Sequence, residues 1–132
     1  MPIDLSRNLD QLEGEAWGDP EFDSHLVQEC HRLRKIPLKE FSAENLRILI
    51  GQSISLPLLV PLALEILVKD PLAEASRYRG DLLQTVAEVP AGYWKTHEDD
   101  FITMAEIRIE LVIVRDTIQE EILPALGAFE FE

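Results

Sequence analysis

Residues 46–83 have the sequence LRILIGQSISLPLLVPLALEILVKDPLAEASRYRGDLL, in which apolar side chains are interrupted by two glycines and three prolines. Leucine and isoleucine recur here every three or four positions, which is the spacing of one buried face of a helix. Proline lacks a backbone donor and restricts the residue before it, so it is found where helices begin or end. The stretch therefore predicts a core of short helices joined at fixed turns.

Three helices are predicted around this stretch. Ser42 can accept a hydrogen bond from the first turn of a helix that begins at the next residue. A second helix covers residues 56–69, and Pro61 predicts that it either bends there or begins at the residue before. A third, short helix covers residues 81–89 and ends before a proline.

The flanking sequence continues the same pattern. A short amphipathic helix is predicted over residues 4–13, and a second helix, capped by Asp23 or Ser24, runs to about residue 35. Residues 92–94 mark an exposed joint. A long helix is predicted over residues 98–123, although its fragment IRIELVIV also alternates like a strand.

These elements predict an all-α fold, with residues 1–132 forming a single compact domain of about six helices. The connections between successive helices are short, which favours antiparallel neighbours. We therefore expect a bundle-like or orthogonal array.

The charge of the chain restricts its partners. It has 25 acidic and 12 basic residues in 132, a formal net charge of −13. Such a chain repels phosphate backbones, so nucleic-acid binding is not expected, and a basic protein is the natural complement. The alternative is that the acidity serves only solubility.

The chain also lacks the features of a secreted or membrane protein. It has one cysteine, Cys30, which excludes an internal disulfide and suits a reducing cytoplasm. The first residues carry no basic segment followed by an apolar one, so no secretory signal is expected. The longest apolar run contains prolines and polar residues, so no membrane span is expected.

No catalytic or metal-binding constellation is visible. His25, Cys30 and His31 lie close in sequence, but adjacent helical residues point about 100° apart and do not converge on one ion. Ser53 and Ser55 lack the surroundings of an activated nucleophile. The sequence therefore predicts no enzyme, no metal and no cofactor.

Protein binding is better supported, because aromatic side chains lie beside acids in two places. Rings of this kind supply contact area at interfaces, and carboxylates supply orientation and association rate. The alternative is that each ring covers the edge of the core. The first candidate cluster comprises Tyr93, Trp94, Glu98, Asp99 and Asp100, and the second comprises Asp70, Glu74, Tyr78 and Asp81.

Arg108 and Arg115 border the apolar stripe of the last helix, Ile107, Leu111, Val114, Ile118 and Ile122. A guanidinium in that place either pairs with a buried carboxylate or extends its head to water. Glu65 and Asp81 are the candidate partners for pairing.

The segments LIGQ, LVPLALE, DPLAE and GDLL occur in the order and spacing of a known family. On these segments, and on SHLVQECHRLRKIPL before them, the chain resembles the immunity proteins of bacterial contact-dependent growth inhibition and related polymorphic toxin systems. The resemblance is strongest over residues 24–90. The chain departs from the family at Ser55 and Ala75, where the family tends to have glycine, and at Arg79, where it tends to have proline.

The resemblance implies a non-enzymatic cytoplasmic antidote that binds the C-terminal domain of a cognate toxin delivered by a neighbouring bacterium. The net charge of −13 extends this expectation to an acidic surface facing a basic, nuclease-type toxin. The alternative is an acidic adaptor or regulatory protein that binds a basic or helical protein partner.

Overall fold

The computed structural model describes residues 3–21 and 24–131, and helices joined by short turns form most of this part of the chain. Their bounds are α1 Leu9–Glu13, α2 His25–Leu33, α3 Ala43–Gly51, α4 Leu56–Lys69, α5 Asp81–Ala87, α6 Ala91–Thr96 and α7 Glu98–Thr117. Helix α7 continues through a π-helical turn, Ile118–Ile122, into a last α-helical turn, Leu123–Ala125. The described residues contain no β-strand, which confirms the all-α prediction.

Helix α6 lies where the sequence pattern predicted an exposed joint at residues 92–94. That prediction is wrong, because Tyr93 is buried at the centre of this short helix. The α6 turn follows Pro90, whose fixed φ suits the residue before a helix. The fragment IRIELVIV lies inside α7, so its helical interpretation is confirmed.

Local side-chain caps explain where three helices begin. Ser42 accepts a hydrogen bond from the Asn45 backbone N–H at 3.2 Å, as its position predicted. Ser24 accepts from the Val27 N–H at 3.5 Å, whereas Asp23, the alternative cap, lies outside the described residues. Helix α1 begins at Leu9, five residues later than the predicted start, because Asn8 and Gln11 form a capping box there.

Helix α4 begins at Leu56 and continues through Pro61 without ending. The residue before it, Ser55, has a φ of 52°, in the left-handed region that closes the α3–α4 turn. Pro61 lies in the second turn of the helix, so only one hydrogen bond near the helix start is lost.

The core lies where α3, α4 and α5 meet, and the quoted stretch 46–83 supplies most of it. Leu49, Leu59, Leu67 and Leu82 are fully buried there. Burial of such a side chain contributes about 1.5–3 kcal/mol, so these positions account for much of the stability. Helix α7 packs against α4 and α6 at the edge of this core.

A buried arginine, Arg34, fastens the N-terminal segment to the core. Its Nε donates to Asp10 Oδ1 at 2.8 Å, and its Nη1 lies 2.6 Å from Glu13 Oε1 and 3.1 Å from Ser55 Oγ. The guanidinium also lies 4.4 Å from the centre of the Trp17 ring. Burial alone would raise the pKa of the Asp10 carboxyl, but hydrogen bonds from the two cations at the end of α2 lower it.

No helix in the described part of the chain is both long enough and apolar enough to cross a membrane.

Candidate functional site

The connector between α4 and α5, residues 72–79, is folded around a single buried carboxylate. Asp81 Oδ1 accepts a hydrogen bond from the Ala75 N–H at 2.7 Å. Its Oδ2 accepts from the Ser76 and Arg77 N–H groups at 3.1 and 2.9 Å. Burial alone would raise the pKa of Asp81, but these backbone donors hold it far below its usual value.

Asp81, one of the candidate binding residues, therefore holds the connector in its conformation. Both oxygens of its carboxylate already accept backbone hydrogen bonds. The side chains that the connector exposes include Arg77, Tyr78 and Arg79. The Tyr78 hydroxyl donates to Gln84 Oε1 on α5, so the ring is held against that helix while remaining half exposed.

The other two candidates of the second cluster, Asp70 and Glu74, are both exposed. Asp70 ends α4, and its carboxylate accepts from the Leu72 N–H at 3.2 Å. Glu74 forms an isolated antiparallel bridge with Arg79 through the backbone. The connector thus displays acidic and basic side chains together, so its surface is less acidic than the candidate residues alone suggest.

The first candidate cluster lies at the junction of α6 and α7. Tyr93 is buried, and its hydroxyl donates to Asp100 Oδ2 at 2.6 Å. Its ring stacks on His97 at 3.9 Å between centroids. Burial, together with the bond to Asp100, raises the pKa of the Tyr93 hydroxyl well above its usual value. Tyr93 and Asp100 therefore face each other across the junction.

The remaining candidates of this cluster are accessible. Trp94 is half-buried and donates its indole N–H to the Val89 carbonyl oxygen at 3.1 Å, whereas Glu98 and Asp99 are exposed in the first turn of α7. Negative charge is favourable there, because the N-terminus of a helix carries partial positive charge.

Two apolar residues beside them, Phe101 and Ile102, were not identified from the sequence. Both are about half exposed, and each lies within one helical turn of the first-turn acids. Trp94, Glu98 and Phe101 line a shallow recess of about 460 Å³. The signal that could have revealed them is the position of the two apolar residues directly after three acids at a helix start.

We call this set, Trp94, Glu98, Asp99, Phe101 and Ile102, the α6–α7 surface. A second recess, lined by Arg47 and by Arg77 and Tyr78 of the connector, shares no lining residue with the recess at the α6–α7 surface. The two clusters therefore form separate surfaces.

The polar residues considered as a buried network lie at the surface. Glu65, Arg108 and Arg115 are exposed, and Arg115 Nε donates to the neighbouring Asp116 at 3.1 Å. Among the ion pairs of the described residues, neither arginine joins Glu65 or Asp81. The buried arginine is Arg34, which follows α2 and which the sequence pattern did not identify.

An apolar groove of about 560 Å³ lies between residues 101–115 of α7 and the helices α5 and α6. Leu83, Trp94 and Met104 line its floor and walls, and Arg108 and Arg115 border it. The groove adjoins the α6–α7 surface, because Trp94 and Phe101 line both this groove and the shallow recess.

Comparison with known proteins gives one family match. A family model described as CDI immunity proteins matches residues 11–104, which is most of the chain. Neither the curated proteins nor the solved structures that were compared match the chain. The matched region extends from α1 into the first turns of α7 and thus includes both candidate surfaces.

Proposed function

Because the chain belongs to the CDI immunity protein family, we propose that it neutralises a cognate toxin by binding the toxin's C-terminal domain in the cytoplasm. Proteins of this family are generally not enzymes. The protein acts as an inhibitor, and its effect depends on occupying toxin surface.

We assign the contact to the α6–α7 surface. The observation that carries this assignment is the combination of exposed Phe101 and Ile102 with the free carboxylates of Glu98 and Asp99 on adjacent turns. Apolar side chains of this size anchor protein interfaces, while carboxylates at the rim attract a basic partner and increase the association rate.

The charge of the chain supports a basic toxin, and a nuclease is the class that this favours. A toxin that binds nucleic acid needs a positively charged groove. The acids of the α6–α7 surface can occupy such a groove in place of phosphates, which excludes the substrate. The net charge of −13 strengthens the attraction over a longer range at low salt.

The experiment measures association of the purified protein with the toxin domain encoded beside it. The double variant Glu98→Gln/Asp99→Asn should slow association roughly three- to ten-fold at low salt and flatten its salt dependence. Ile102→Ser should instead increase the dissociation rate, because it removes apolar contact.

The matched control is Glu15→Gln/Glu40→Gln, which removes the same number of charges from exposed positions outside both candidate clusters and the recesses beside them. If this control slows association as much as the first variant, the effect is one of net charge and the assigned surface is wrong. The proposed function itself is wrong if the two proteins form no complex at micromolar concentrations and bacteria that express this protein are not protected from the toxin.

A further inference from the structure

The outward face of α7 carries an apolar stripe that the fold does not cover. Ile102, Ile109 and Ile113 are 46, 58 and 60% exposed. At about 100° per residue, all three lie within roughly 20° of one line along the helix, on the side opposite Leu111, which packs against the core. A helix that is apolar on two opposite faces normally has both of them covered, so this stripe has the composition of a contact surface.

The stripe has the spacing of a seam between paired helices. The residues along it are Ile102, Glu106, Ile109 and Ile113, which are four, three and four positions apart, as the core positions of a heptad are. The stripe is about 17 Å long at 1.5 Å per residue. The backbone groups of α7 bond to one another within the helix, so the stripe offers only side chains to a partner. Another helix is the element that matches this spacing.

The charges on this face of α7 are acidic. Glu106 lies within the stripe, and Glu98, Asp99 and Glu110 flank it at exposed positions. The two arginines of α7 lie roughly 120° or more around the helix from Ile102, and both line the apolar groove instead. This face therefore attracts a basic partner.

Glu106 restricts the partner further than the flanking acids do. A carboxylate at a core position of a helix pair is costly unless a cation faces it, so a partner helix needs a lysine or an arginine opposite this residue. A second copy of α7 would instead bring the acidic flanks of the two helices together, which is repulsive. The occupant that fits is a different helix with apolar residues along one line and basic residues beside them.

We propose that this stripe, residues 102–113, is covered by a basic amphipathic helix of the cognate toxin, with a lysine or an arginine of that helix opposite Glu106. The proposal rests on the proposed function and extends the contact along α7 from Ile102, which is part of the α6–α7 surface. Ile109 and Ile113 lie beyond residues 11–104, which the family model matches, so the family match does not by itself imply this part of the contact.

Dissociation of the complex with the toxin domain encoded beside this protein tests the stripe. Ile109→Ser and Ile113→Ser should each increase the dissociation rate roughly ten-fold or more, because each removes apolar contact from the interface. The matched control is Ile118→Ser, which makes the same substitution at an exposed position roughly 160° around the helix from Ile102 and should leave the rate unchanged. Equal unfolding temperatures by circular dichroism exclude a folding defect in these variants.

Charge variants test the pairing at the centre of the stripe. Glu106→Lys should weaken the complex roughly a hundred-fold, because it places like charges opposite each other in the seam. Glu40→Lys changes the net charge equally at an exposed position outside both candidate clusters, and it should weaken the complex no more than about three-fold. Among lysine-to-glutamate and arginine-to-glutamate exchanges in the toxin domain, one should restore binding to Glu106→Lys.

The possible results separate this proposal from the proposed function. The stripe is not the contact if the complex forms but dissociates at the wild-type rate in Ile109→Ser and Ile113→Ser, or if Glu40→Lys weakens it as much as Glu106→Lys does. Toxin binding itself would then stand. A free protein that sediments as a dimer, and that Ile109→Ser converts to a monomer, would place a second copy on the stripe and also overturn the proposal. If the wild-type protein forms no complex, both proposals are wrong.

Discussion

Replacement of Asp81, the first residue of α5, by alanine should destabilise the protein more than a replacement within the connector. The carboxylate accepts three backbone hydrogen bonds, from Ala75, Ser76 and Arg77, at 2.7, 3.1 and 2.9 Å. A hydrogen bond to a charged group contributes about 1.5–3 kcal/mol. Water can reach part of the connector and compensate for some of this loss. We therefore expect Asp81→Ala to lower the free energy of unfolding by about 3–5 kcal/mol.

The asparagine variant provides a graded test of the same reasoning. Its amide has one acceptor oxygen, so it can keep at most two of the three hydrogen bonds and it loses the charge. The expected loss is about 1.5–3 kcal/mol. The control is Asp70→Asn, which alters an exposed carboxylate with a single backbone bond of 3.2 Å and should cost less than about 1 kcal/mol.

The contribution of Asp81 should also depend on pH. Its pKa is lowered in the folded state, whereas an unfolded aspartate titrates near about 3.9. The stabilisation is therefore fully present above about pH 4–5 and is lost as the pH falls through the folded-state pKa. The difference in stability between the wild type and Asp81→Asn should shrink as the pH falls below about 4.

Urea unfolding, monitored by circular dichroism, measures these differences in stability. The rate of cleavage by trypsin reports directly on whether the connector is folded. Arg77 and Arg79 are exposed cleavage sites that the folded connector should protect. Asp81→Ala should be cut there faster than the wild type under native conditions. A loss of stability below about 1 kcal/mol, or an unchanged cleavage rate, would refute the role of Asp81 as the residue that folds the connector.

Four other positions give predictions that the same unfolding measurements can check. Arg34→Met should cost about 3 kcal/mol, because it removes the buried cation that pairs with Asp10 and Glu13 and leaves only the exposed Lys35 beside Asp10, and a loss below about 1 kcal/mol would contradict a buried network. Ser53 and Ser55 both have positive φ, at 56° and 52°. Ser53→Gly should stabilise by up to about 1 kcal/mol, whereas Ser55→Gly should gain less because it loses the hydroxyl that bonds to Arg34; equal gains would show that this hydroxyl contributes nothing. Tyr93→Phe should cost about 1.5–3 kcal/mol, since its hydroxyl bonds to a carboxylate at the start of α7, and a neutral substitution would exclude that bond from the junction.

The residues that were predicted well are those whose structure depends on near neighbours. Ser42 accepts from a backbone group three residues away, so its role as a cap follows from a few letters of sequence. The positive φ of Ser55 gives a physical reason for the glycine that the family tends to have there. The serine is accommodated because its hydroxyl bonds to Arg34 and Glu13.

The candidate binding residues were predicted less completely. Whether such a side chain is exposed depends on residues that are distant in sequence and on turns of the chain, and no short sequence motif specifies either. Asp81 and Tyr93 are of residue types that are common at interfaces. However, Asp81 is surrounded by backbone donors, and Tyr93 is stacked on His97. Phe101 and Ile102 resemble core residues, yet α7 leaves both half exposed.

The sequence alone determined the all-α class, the positions of most helices and the family, because helical periodicity, caps and prolines act within a few residues. Only the tertiary structure decided which charged groups are buried and which apolar residues are not. Arg34 meets Asp10 across 24 positions, whereas α7 leaves Phe101 and Ile102 about half exposed. Burial is a property of packed surfaces, and the core of the stretch 46–83 is completed by Leu9 from the N-terminal segment and Ile107 from α7.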